Sequence, residues 1–410
     1  MHLYDGIVVD FSYICTKRFF MVVSIRLKNF YSIHNEVALD FTAESSGAKK
    51  DGLLSENIIK VGEDKFVNII GLFGSNAAGK SNLIKAVDFC RQLILYSQFD
   101  NEGEPFGYRP FKFSEDKESE FHIDFIWEGI EYEYGFVLSG GKVESEYLNY
   151  FPNRRRAKVF CRERTHFYSY GKGVIPRPTE IEANTSSRTL FLSRASLMNR
   201  EIPRTVYRYF LTKFLVGIGD FNFSNFDPTF FYKHKELVLK ALEISDSDII
   251  DLQVSQPGSG RPLIMSFHKE NPAIAFDFLS EESEGTKRLL SILLFLLESS
   301  MEGATLFLDE FDLKLHLRLA EFILDVIRAS KGGQFVFTSH NSSLINRNSL
   351  RDEQIVFVNK LPDGSSEFTP LSDFDGVGKN TDIQKAYLAG LFDAVPFTGS
   401  YESILRILGK

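Results

Sequence analysis

The stretch GLFGSNAAGKSN, Gly71 to Asn82, restricts what this chain can fold into more than any other. It fits the pattern G-x-x-x-x-G-K-[ST] through Gly74, Gly79, Lys80 and Ser81. Ahead of it, Val67 to Phe73 is an almost unbroken apolar run, the composition of a strand buried on both faces of a parallel sheet. After it, the pattern predicts a helix over Ser81 to Leu95. The two glycines let the backbone turn tightly and aim its N–H groups inward. The helix N-terminus adds partial positive charge at the same point. The loop of Gly74, Ser75, Asn76, Ala77, Ala78, Gly79, Lys80, Ser81 and Asn82 therefore reads as a cradle for nucleotide phosphates. Lys80 is placed to reach the β and γ phosphates of ATP, and the Ser81 hydroxyl to bind Mg²⁺. Kinases, GTPases, transporters and DNA-handling machines all use such a loop, so it names a ligand and leaves the function open.

Hydrolysis requires more than a cradle: Mg²⁺ must be held from a second side and a water oriented against the γ phosphate. TLFLDE places Asp309 at the end of an apolar strand with Glu310 beside it, and FVFTSHN ends another strand with His340. Open α/β sheets present ligands at the carboxyl ends of their strands. Asp309 is accordingly the candidate for the Mg²⁺ shell, Glu310 for the base and His340 for a γ-phosphate contact. In LSEESEGTKRLLSILL, Leu279 to Leu294, the residues Ser283, Gly285 and Thr286 precede an apolar helix. They form a second helix N-terminus suited to an anion, or a plain N-cap. One phosphate-loop fold has no geometric need of that second site, whereas a head-to-tail pair of them does.

A chain of 410 residues has room for two lobes or for one domain with a large insertion. We read 1–20 as an N-terminal extension, with Met21 as the native start. We read 21–175 as the first half of the head with a β-rich lobe, 176–252 as a mostly helical insertion or arm, and 253–410 as the second half. FHIDFIWEGIEYEYGFVL contains a hairpin signal at Glu128 to Gly129. No apolar run approaches the roughly 20 residues of a membrane span. Three well-separated cysteines, Cys15, Cys90 and Cys161, suggest neither a disulfide framework nor a zinc site, and point to a reducing cytoplasm. A net charge of −8 argues against a surface that coats nucleic acid throughout. It permits a local patch, and NRRRAKVFCRER supplies one in Arg154, Arg155, Arg156, Lys158, Arg162 and Arg164. That stretch suits nucleic acid or an acidic partner, or equally a solvated hairpin whose charges guard a strand edge.

The order of phosphate loop, Ser283 to Leu289, Asp309 with Glu310, and His340 resembles the Walker A, signature, Walker B and switch-histidine series of ABC-type ATPases of the SMC and RecF kind. IRLKNFYS, SEGTKRLL, DEFDLKLH and DIQKAYLAGLFDAVP are similar, more closely, to stand-alone ATPases related to the OLD family, found in abortive-infection and anti-phage loci. The likeness spans nearly all of Met21 to Pro396. It implies an α/β fold, an ABC-type ATPase head that sandwiches two ATP molecules in a homodimer or a higher oligomer. Lys80 and Ser81 of one chain would face Ser283, Gly285 and Thr286 of the other, and Asp312 to His316 would touch the partner subunit. Thr286 replaces the usual Gln or Glu of the signature, and His316 stands where many ABC proteins have Asp. The Mg²⁺-binding glutamine of the class has no clear counterpart, Gln98 and the Arg109 to Lys112 stretch being candidates. Only 70 residues follow His340, too few for a Toprim nuclease, so the likeness implies a separate effector, a nuclease or toxin, and a phage-derived trigger. A DNA repair or chromosome-maintenance ATPase that binds DNA directly is the alternative.

Overall fold

The computed structural model describes residues 20–44, 54–99, 107–218, 228–245, 247–255, 263–330, 333–396, 405 and 407–408. The expectation for residues 1–20 lies outside these, except at Phe20.

The described chain opens with β1 (Phe20–Lys28) and β2 (Val37–Asp40), an antiparallel pair in which β2 strictly alternates buried and exposed side chains. A small hairpin of β3 (Ile58–Val61) and β4 (Asp64–Val67) leads into β5 (Ile69–Phe73), buried throughout, and then into α1 (Lys80–Tyr96). The apolar run expected as one strand is thus divided at Asn68. Its backbone N–H donates to the Asn57 carbonyl and its side-chain amide to that of Glu56. The turn between β6 (Ser119–Trp127) and β7 (Ile130–Ser139) falls at Glu128 and Gly129, with φ of 52° and 81°. Positive φ at both central residues matches the twist of the flanking strands. β8 (Lys142–Tyr150), β9 (Ala157–Glu163) and β10 (Phe167–Tyr170) extend this meander. The result is an antiparallel sheet of seven strands in the order β10-β9-β8-β7-β6-β1-β2.

The 176–252 segment is mostly helical, with α2 (Thr179–Ala183), α3 (Phe191–Leu197), α4 (Glu201–Thr212) and α5 (Pro228–Ile244) around a strand, β11 (Phe214–Gly217). β12 (Ile249–Ser255), β13 (Leu263–His268) and β14 (Ala275–Asp277) form a three-stranded sheet. After the short α6 (Phe278–Glu281) come α7 (Glu284–Glu302), β15 (Thr305–Leu308), α8 (Leu317–Ser330) and β16 (Gln334–Ser339). β17 (Ile355–Lys360), β18 (Ser366–Pro370) and α9 (Ile383–Leu388) follow.

The central sheet runs β11-β15-β16-β5-β17-β18 and is parallel except at β18. β5 therefore lies between two strands from the other end of the chain. β11 makes the helical segment part of the head, and α4 and α3 rest on α1, where Arg91 Nε donates to the Phe210 carbonyl and Ser193 Oγ to that of Ile94. Ile70 and Leu72 of β5 enter one core, shared with α1 and the antiparallel sheet. Ile69 and Phe73 enter the other, shared with α7 and α8. Gln334 joins the two sheets: its Oε1 accepts from Val22 N at 2.7 Å and Thr305 Oγ1 at 2.9 Å, and its Nε2 donates to the Val22 carbonyl.

Candidate functional site

The carboxyl ends of β5, β15 and β16 meet at one edge of the central sheet, and the phosphate loop lies there. Gly79 has φ of 111°, and a Cβ on it would fall 1.9 Å from Ser366 Oγ and 2.6 Å from Ser32 Oγ. A Cβ on Gly74 would fall 2.3 Å from the Val358 carbonyl. Both glycines are thus demanded by close approach of other chain segments. Ser32 and Ser366 brace the loop from behind. Their hydroxyls are 2.7 Å apart, Asn82 Nδ2 donates to Ser32 Oγ at 2.8 Å, and Ser366 Oγ donates to the Ala78 carbonyl. Reading along the chain missed this role for both. Ser32 lay within the IRLKNFYS stretch that carried the resemblance, whereas nothing local distinguishes Ser366.

Lys80 opens α1 and is only 3% exposed. Its Nζ donates to the carbonyls of Gly74 at 2.7 Å and Ser75 at 3.0 Å and lies 3.2 Å from His340 Nδ1. Burial pulls the ammonium down to about 8, against the opposing attraction of Asp309, Glu310 and Asp312. Ser81 Oγ donates to Asp309 Oδ1 at 3.0 Å, and Thr338 Oγ1 donates to the same oxygen at 2.6 Å. Thr338 Oγ1 also accepts from the Glu310 N–H at 2.7 Å, holding both acids at the end of β15. Thr338 is fully buried within FVFTSHN, where only its place two residues before His340 could have singled it out. Glu310 Oε1 lies 3.6 Å from His340 Nε2. Burial first, then the charge of Lys80, holds the imidazole below its usual pKa. A neutral imidazole that accepts from Lys80 at Nδ1 carries its proton on Nε2, facing Glu310.

Lys80, Ser81, Asp309, Glu310 and His340 are thus brought together. A buried cation at a helix N-terminus suits phosphate, and a hydroxyl beside a carboxylate suits Mg²⁺, which binds few protein oxygens and fills its shell with phosphate and water. Among the described residues, no cluster of three or more His, Cys, Asp or Glu could hold a metal by itself.

Ser283, Gly285 and Thr286 stand apart from this cluster at the start of α7. Ser283 is exposed, its Oγ accepts from Thr286 N at 3.1 Å and lies 2.8 Å from Thr286 Oγ1, so the hydroxyl caps its own helix. Two expectations are corrected. Gln98 lies beyond the far end of α1, a helix of 17 residues that spans about 25 Å, too distant for it and Ser81 to hold one metal between them. Arg162 leaves the basic patch, because it is fully buried and donates to the carbonyls of Thr165, Thr189 and Ser186. Arg154, Arg155, Arg156, Lys158 and Arg164 remain exposed, with Arg156 paired to Glu133 at 2.7 Å.

A phosphate loop, paired acids and a histidine on the ends of a mostly parallel sheet, with an antiparallel sheet packed alongside, define an ABC-type P-loop ATPase head. The profile of the family described as "AAA domain, putative AbiEii toxin, Type IV TA system" matches residues 69–346, from the first residue of β5 to just past His340. The chain belongs to that family. Similar solved structures include an SMC head bound to the C-terminal winged-helix domain of ScpA, with 17% identity, a TM-score of 0.43, and coverage of 85% of this chain and 97% of that one. They include the SMC head domain from Thermotoga maritima, with 15% identity, a TM-score of 0.40, and coverage of 85% and 98%. A third is the Pyrococcus furiosus SMC head with an extended coiled coil, bound to the C-terminal domain of ScpA, with 14% identity, a TM-score of 0.41, and coverage of 90% and 98%. Comparison with curated proteins gives no match. No helix among the described residues is long and apolar enough to cross a membrane.

Proposed function

We propose that this protein binds and slowly hydrolyses ATP as a dimeric switch in bacterial anti-phage defence, and that it controls a separate effector such as a Toprim-type nuclease or toxin. One observation carries the dimeric reading: Lys80, Ser81, Asp309, Glu310 and His340 form one cluster, while Ser283 is exposed on a different helix with its hydrogen bonds confined to its own motif. A second copy, turned head to tail, would bring that helix N-terminus to the phosphates. The family's description, which names a "putative AbiEii toxin, Type IV TA system", supports the defensive role.

In this reading Lys80 neutralises the β and γ phosphates, and the loop N–H groups hold them in line. Ser81 and Asp309 would hold Mg²⁺, which would supply positive charge against the charge that develops on the leaving group. Glu310 takes a proton from the attacking water as its oxygen bonds to the γ phosphorus and the bond to the bridging oxygen breaks. His340, protonated on Nε2, directs that proton toward the γ phosphate or the water.

The test is the mass in solution of Glu310→Gln protein, with and without ATP and Mg²⁺, beside Lys80→Ala. ATP should assemble Glu310→Gln into a dimer or larger species and leave Lys80→Ala unchanged. A Glu310→Gln protein that binds ATP and stays monomeric would overturn the sandwich.

A further inference from the structure

Arg288 lies one turn into α7, beyond Ser283, Gly285 and Thr286, and is 4% exposed. Its guanidinium reaches three successive carbonyls after β15: Nη2 donates to Asp309 O at 3.0 Å and Glu310 O at 2.7 Å, and Nε to Phe311 O at 3.4 Å. A buried guanidinium is costly unless its donors are matched, and carbonyls fixed in a row match a planar fork. The middle one belongs to Glu310, whose φ of 46° is a left-handed conformation that a glutamate adopts only when its surroundings impose it. Thr338 holds the N–H side of Glu310 and Arg288 the carbonyl side.

The far end of the same loop is also tied to α7. Lys314 Nζ pairs with Glu284 at 2.9 Å, and a Cβ on Gly285 would fall 3.0 Å from the Lys314 carbonyl. The segment from Asp309 to Lys314 is therefore attached at both ends to the first turn and a half of one helix. Any shift of that turn is carried to the peptide planes on either side of Glu310.

We propose that Arg288 is a positioning residue that couples an anion contact at Ser283 and Gly285 to the carboxylate of Glu310 in the same chain. This rests on the reading of Ser283 to Thr286 as the contact to a second copy's nucleotide. It adds that occupation of one site sets the geometry of the base in the other. Arg288 touches no substrate and acts through the backbone of Glu310.

The experiment compares wild type, Ser283→Ala, Arg288→Lys and the double variant, measuring affinity for a fluorescent ATP analogue, kcat and KM for phosphate release, and melting temperature. Lysine keeps the charge, but its ammonium cannot span three carbonyls. Arg288→Lys should bind the analogue within about twofold of wild type and lose more than about tenfold in kcat at unchanged KM. Adding Ser283→Ala to Arg288→Lys should lower kcat no further, because the path is already cut. Arg288→Gln is the second variant and should behave alike. Losses that multiply in the double variant overturn the coupling. So does a fall in affinity, kcat and melting temperature together, the mark of a structural role. If Ser283→Ala leaves wild-type kcat intact, the dimeric sandwich fails and takes the coupling with it.

Discussion

Lys80 sits in a low-dielectric niche, where its charge is opposed by burial and supported by the acids around it. Its pKa of about 8 makes binding pH-dependent. A phosphate bound at Nζ favours the ammonium and returns the pKa toward its ordinary value. Binding above pH 8 therefore takes up a proton, and affinity should fall about tenfold per pH unit between about 8 and 10. Calorimetry in buffers of different ionisation enthalpy should show close to one proton taken up per ATP at about pH 9 and close to none at about pH 7. A flat affinity profile over that range would show that Lys80 keeps its proton without nucleotide. His340 has the opposite requirement: its lowered pKa keeps it neutral at pH 7, which its place beside the Lys80 ammonium demands.

Among the elements, α3 depends on a buried carboxylate more than on its own sequence. Glu146, on β8, accepts from the N–H groups of Phe191 at 2.6 Å and Leu192 at 2.9 Å, and from Tyr134 Oη at 3.0 Å. Arg162 of β9, equally buried, stands 4.0 Å away. Glu146 supplies an N-terminal cap that the residue at the helix boundary, Leu190, cannot provide. Glu146→Ala would leave two helix N–H groups without their acceptor and the buried Arg162 guanidinium without its counter-charge. Urea unfolding should show a loss of about 3–5 kcal/mol. A loss below about 1 kcal/mol would mean that water or a neighbouring group replaces the carboxylate.

At the scale of the whole molecule, the two halves of the chain share the central sheet. β5 receives its neighbours β16 and β17 from residues more than 260 positions later, and the Gln334 side chain binds both backbone groups of Val22. The 176–252 segment adds β11 to the same sheet and rests α3 and α4 on α1. Residues 20–175 expressed alone should therefore lack a cooperative melting transition and gain one when co-expressed with residues 176–410. A folded, monomeric 20–175 fragment would show that the antiparallel sheet and α1 suffice as a core. Such long-range pairing also makes the central sheet a slow element to assemble, since loop closure precedes every parallel contact.

The sequence by itself determined the local chemistry: the phosphate loop and its helix, the acids at the end of β15, the histidine after β16, and the Glu128–Gly129 turn. Each is written in a few contiguous residues whose backbone demands are local. Only the tertiary structure decided the rest, because hydrogen bonds between separate elements leave no local pattern. Ser366 looks like any strand serine until it is found filling the space that Gly79 leaves open. Arg162 looks like one of six surface cations until the carbonyls of Thr165, Ser186 and Thr189 take its donors. The division at Asn68 follows from the backbone bond to Asn57, which interrupts an apolar run that periodicity reads as one strand. Arg288 is one basic residue in a helix until α7 and the end of β15 meet, and only there do three carbonyls in a row find a donor.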